Sequence, residues 1–130
     1  MSTIKTETLS TPSNATVPVD TVVNGTAKAW VNFNGTGTVA IRRAFNVSSI
    51  TDNGTGLYTV NFTTAMADAN YTISGSTRSY GSGRYLLVAE DHLSPVKTVS
   101  AIKIISAVSG GSTQTGFPYD CPSVYVQVFS

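Results

Sequence analysis

The fold is decided by residues 27–62. The stretch reads Ala27-Lys28-Ala29-Trp30-Val31-Asn32-Phe33-Asn34-Gly35-Thr36-Gly37, then Val39-Ala40-Ile41-Arg42-Arg43-Ala44-Phe45-Asn46-Val47. A turn cluster, Asp52-Asn53-Gly54-Thr55-Gly56, leads into Leu57-Tyr58-Thr59-Val60-Asn61-Phe62. Runs of alternating apolar residues separated by Asn, Gly and Thr are the pattern of antiparallel strands joined by tight turns. In the first run Ala29, Val31 and Phe33 share one face. Lys28, Trp30 and Asn32 take the other, so Trp30 either covers a second apolar layer or sits in a subunit interface. Tyr58, Val60 and Phe62 form the apolar face of the last run.

Between these runs, residues 38–50 form one strand or two. Val39, Ile41, Phe45 and Val47 fall on one face with Arg43 among them. An arginine in an apolar row is costly unless paired. Arg43 therefore lies at the edge of the core, reaches Asp52 or Asp68, or is turned outward by a bulge.

The pattern from Ala27 to Tyr71, which ends in Asp68-Ala69-Asn70-Tyr71, resembles a domain of small structural and tail-fibre-tip proteins of marine and cyanobacterial tailed phages. It covers about a third of the chain. The opening Ser2-Thr3-Ile4-Lys5-Thr6-Glu7-Thr8-Leu9 is a weaker echo of the same family. The resemblance implies a component of the virion, assembled in the host cytoplasm. A homotrimer is expected from the low charge, the two-sided apolar strand at 96–108 and an arm that cannot fold alone, and the resemblance adds that phage fibre tips are usually trimeric.

Composition bounds the rest. The chain has 130 residues, 41% of them hydrophobic and only 12% charged, with a net charge of +1. Soluble domains usually carry about 25% charged residues. Ser, Thr and Asn supply about a third of the chain. Such a surface suits burial in an assembly and contact with sugar hydroxyls; strand propensity of Thr is the plainer explanation. Lys and Arg form no basic stripe, which argues against nucleic acid as a partner. No apolar run approaches ~18 residues, so no membrane insertion is expected. Nothing at the N-terminus reads as a secretory signal. The Asn-X-Ser/Thr triplets at Asn14, Asn24, Asn34, Asn46, Asn53, Asn61 and Asn70 then follow from composition and turn chemistry rather than glycosylation. The single Cys121 permits no intrachain disulfide.

Residues 1–25 read as an extended N-terminal arm for assembly or virion attachment, with Ile4 and Leu9 as isolated apolar anchors and Pro12 and Pro18 as breakers. Residues 26–130 read as an all-β head: an antiparallel, jelly-roll-like β-sandwich of seven or eight strands. Phe33, Val60, Phe62, Ile102, Ile104 and Val126 are its expected core. The only stretch suited to a helical turn is 64–69. Val96–Val108 reads as one long strand, apolar on both faces. Glu90-Asp91-His92 marks the exposed end of the strand before it, and Val124–Phe129 is the last strand.

Catalysis finds little support in the residue types. Polysaccharide hydrolysis needs two carboxylates across a cleft. The acids are Glu7, Asp20, Asp52, Asp68, Glu90, Asp91 and Asp120, and adjacent Glu90 and Asp91 point to opposite faces of a strand. His92 is the only histidine. It reads as a surface residue; three copies around an axis are the alternative, without the His-X-His motif that such metal sites use. No enzyme, cofactor or metal site is expected. The expected function is that of a tail fibre or receptor-binding tip recognising a host surface glycan or protein. The alternative is a capsid or tail decoration protein whose partners are other virion proteins, favoured by the lack of a fibrous shaft.

The expected ligand site is built on two loops. Arg78, Tyr80, Arg84 and Tyr85 flank a Ser/Gly-rich turn, with Tyr119 and Asp120 from the loop 110–122 as partners. Tyr gives flat apolar area at small entropic cost, and Arg clasps acidic groups in two-pronged fashion. The plainer reading is a connecting loop that needs Gly and Ser to turn.

Overall fold

A computed structural model describes residues 1–78, 85–92, 94, 96–109 and 116–130. Two antiparallel sheets pack face to face as a β-sandwich. The first is ordered β4 (Ala40–Phe45), β3 (Ala29–Asn34), β11 (Ser123–Phe129), β7 (Thr72–Arg78). The second contains β5 (Val47–Gly54), β6 (Leu57–Phe62), β8 (Tyr85–Glu90), β9 (Ala101–Ser109) and β10 (Gly116–Pro118). In it β9 pairs with β8 along one side, and with β6 and then β10 along the other. The hairpins β3–β4, β5–β6 and β8–β9 keep consecutive strands in one sheet. The antiparallel sandwich is the part of the expected fold that the described strands show.

The core follows from side-chain parity. Alternate residues of β3, β6 and β11 are buried, which places Val31, Phe33, Val124 and Val126 against Tyr58 and Val60. All six expected core residues are buried. Each such large apolar side chain contributes about 1.5–3 kcal/mol. Phe33 meets Tyr58 edge to face across the two sheets, with ring centroids 5.0 Å apart.

Parity breaks at β4. Asn32 pairs with Arg43 but Phe33 pairs with Ile41, so Arg42 is an extra, bulged residue. A slip of one residue exchanges faces. Arg43 and Phe45 are thereby turned outward, and Phe45 is 54% exposed. The Arg43 guanidinium stands 6.0 Å over the Trp30 ring rather than on Asp52 or Asp68. The bulged Arg42 donates to the carbonyl of Pro122 (2.6 Å) and the hydroxyl of Ser123 (3.0 Å), tying the edge strand to β11.

Four further expectations are corrected. The N-terminal arm is not extended throughout: β1 (Thr8–Ser10) and β2 (Thr16–Pro18) form a hairpin, and α1 (Val19–Gly25) follows. Asn14, at a φ of 62°, makes the turn, and Pro18 sits at the N-cap position, just before the helix rather than inside it, where it breaks nothing. The helix is thus at 19–25, while 64–69 is irregular. None of α1 is buried. The expected strand 96–108 starts only at Ala101, because the Thr98 hydroxyl accepts the Ser100 and Ala101 amides and closes a tight turn. Asp91 is not exposed: it is 2% accessible and its carboxylate lies 3.0 Å from Lys103 Nζ.

Candidate ligand-binding surfaces

The hairpin turns 35–39 and 54–56, the end of β7, the start of β8 and the segment before β11 share one end of the sandwich. Arg78 pairs there with Ser123, and Tyr85 with Ser109. Tyr80 and Arg84 lie outside the described residues. The arm joins at the opposite end, where the Lys28 amide donates to the Val128 carbonyl at 2.8 Å. The corner between β4 and β5, at Asn46, also lies at that end, as does the connection 63–71.

The structure separates Tyr119 from Asp120. The Tyr119 side chain is exposed, while Ser106 grips its backbone twice: the Tyr119 amide donates to the Ser106 carbonyl (2.9 Å), and the Ser106 hydroxyl donates to the Tyr119 carbonyl (2.6 Å). Asp120 turns inward. Its Oδ1 accepts the Gly56 amide at 2.7 Å and the Tyr58 hydroxyl at 2.9 Å. Burial, and then the Asp120 carboxylate, push the Tyr58 phenol well above its ordinary value. Gly56 has a φ of 67°, and a Cβ there would strike the Tyr119 amide and the Ser106 carbonyl. Asp120 therefore fastens the loop to the sheet. Cys121 beside it is buried, and burial raises its thiol pKa, which makes it a poor nucleophile. Of the six expected residues, Arg78 and Tyr119 present described, exposed side chains at this end.

A second surface escaped the loop-based reading. The outward residues of the first sheet form cross-strand rows. Phe45, Trp30, Gln127 and Ser74 are in register, and so are Arg43, Asn32, Tyr125 and Ser76. The signal for it was present in the last strand, where Tyr125 and Gln127 occupy the parity opposite to Val124, Val126 and Val128. A trough of about 300 Å³ runs along Ser74, Gly75, Ser76, Tyr125 and Gln127. It exists because short serines on β7 stand beside a tall tyrosine on β11.

Among the described residues no group of three or more His, Cys, Asp and Glu side chains is placed to hold a metal ion. No helix there is long and apolar enough to cross a membrane. Searches with family models, curated proteins and solved structures find no match to this chain.

Proposed function

We propose that the chain is a phage virion structural protein that serves as a tail fibre or receptor-binding tip and recognises the host cell surface. The resemblance of Ala27–Tyr71 to phage tail-tip domains supports the virion assignment. The observation that carries the recognition role is the polarity of the head. The arm joins at one end, while Arg78, Tyr85 and Tyr119 are at the other. A protein anchored by its arm then presents those loops outward. Several copies on one fibre would combine weak single sites through effective concentration.

One observation favours the decoration reading. Ile4, Leu9, Val22 and Val23 of the arm are exposed, a surface suited to packing on another virion protein. Immunogold labelling of virions separates the two readings. Label at the tail periphery, with adsorption of purified protein to host cells, supports the tip. Label on the capsid lattice without adsorption replaces it with decoration. Within the tip reading, Tyr80→Ala with Arg84→Ala should reduce adsorption and leave the melting temperature within a few degrees.

A further inference from the structure

The outer face of the first sheet is unusual in what it leaves unused. Trp30 and Tyr125 are half-buried on adjacent strands and diagonal to one another, since Trp30 pairs with Gln127 and Tyr125 with Asn32. Diagonal neighbours lie within reach of one extended ligand, at about 7–8 Å. Among the described residues the Arg43 guanidinium makes no hydrogen bond or ion pair, and it stands 6.0 Å from the Trp30 ring centroid. Among the same residues the Tyr125 hydroxyl is likewise unengaged, and Gln127 has a long 3.5 Å contact with Ser74. The outward positions of the four strands contain Arg43 and Arg78 but neither Asp nor Glu. The face is thus cationic, aromatic and rich in amides and hydroxyls.

We propose that this face binds an acidic polysaccharide built of uronic acid residues. The chemistry accounts for each group. Sugar rings present a C–H face, which lies on the flat of Trp30 and Tyr125. Their hydroxyls meet the amide of Gln127 and the serines along the trough. A ring carboxylate pairs with Arg43, whose planar fork matches it and whose guanidinium stands 6.0 Å from the Trp30 ring centroid. The cross-strand rows make the platform rigid before any ligand arrives, which lowers the entropic cost of binding. The inference deepens the host-recognition reading and rests on it, and it adds the sheet face to the loops as a second ligand surface.

The test uses the full chain and two uronans, polygalacturonate and alginate, with unmodified dextran and dextran sulfate as comparisons. Affinity electrophoresis reads retention, and the emission of Trp30, the only tryptophan, reads the site directly. Both uronans should retard the protein and shift Trp30 emission. Arg43→Gln and Tyr125→Thr should each weaken retention by about tenfold or more, with unchanged melting temperature. Thr keeps the strand propensity of position 125. Failure to bind either uronan overturns the inference. So does binding to dextran sulfate that survives Tyr125→Thr, which is ion exchange alone. Trp30 emission that iodide fails to quench in the free protein also overturns it, because another copy then covers the face. Host-cell adsorption is measured in parallel. Wild-type protein that adsorbs to cells but ignores uronans overturns the face and leaves the functional reading standing. Protein that binds uronans but not host cells keeps the face and overturns the functional reading.

Discussion

The Tyr58 hydroxyl and the Asp120 carboxylate lie 2.9 Å apart, joining the segment before the last strand to the second sheet. The same carboxylate oxygen takes the Gly56 amide. Asp120→Ala strips an acceptor from two donors at once. The expected loss is about 2–3 kcal/mol, or roughly 10 °C in melting temperature. Tyr58→Phe should cost less, about 1 kcal/mol, because Gly56 still satisfies the carboxylate. Thermal melts of both variants check this. An Asp120→Ala protein that melts as wild type but no longer adsorbs would return the carboxylate to the ligand site.

Two buried phenols make the fold sensitive to alkali. Burial, with Glu90 adding to it, pushes Tyr71 up to about 12, and Tyr58 goes higher for the reasons given above. A folded-state pKa above the unfolded value near 10 means that the native state holds its proton more tightly. The stabilisation is complete below about pH 10 and is lost as pH rises through the folded value. In the near-ultraviolet phenolate signal, Tyr58 and Tyr71 should ionise only together with unfolding, after the exposed tyrosines. Ionisation of all six tyrosines in one step with the fold intact would contradict this assignment.

Asn46 fixes the corner where the chain leaves one sheet for the other. It sits at a φ of 53° and makes three side-chain bonds. It donates to the carbonyls of Lys28 and Thr64, each at 3.1 Å, and accepts the Thr64 amide at 2.7 Å. Asn46→Gly keeps the backbone freedom and loses the bonds, for an expected cost of about 1–3 kcal/mol. Asn46→Ala adds the strain of a positive φ, about 1 kcal/mol more. Equal stabilities of the two variants would remove the backbone part of this account.

The sandwich was legible because burial imposes a period of two, and β3, β6 and β11 keep that period throughout. A bulge that turns Arg43 outward was one of the readings the sequence offered, but its place at Arg42 shows only in the pairing, so Phe45 was read inward and is outward. Asp120 was read as a ligand group because the sequence gives its type but not its partner, Tyr58, 62 residues away. Asn14 and Thr98 folded segments read as extended, each through a local turn whose geometry depends on one residue. The face carrying Trp30 and Tyr125 was half legible. Trp30 was placed on the polar side of its strand, but only the pairing of β3 with β11 brings the two rings onto one surface.

The arm gives the last prediction. Its hairpin and α1 bury none of their own residues, yet the arm carries Ile4, Leu9, Val22 and Val23. A seven-residue helix is too short to be stable alone in water. Its apolar side chains gain free energy only against another surface. The head, by contrast, has its own core, and the sandwich begins at Ala29, beyond the helix. Deleting residues 1–25 should therefore leave the head folded, with a melting temperature within a few degrees of the full chain. The same deletion should weaken self-association. Sedimentation at micromolar concentration should give a trimer for the full chain and smaller species for the truncated one. A full chain that sediments as a stable monomer would refute the homotrimer and leave the arm to a different partner. A truncated chain that is still trimeric would move the contact from the arm to the sheets.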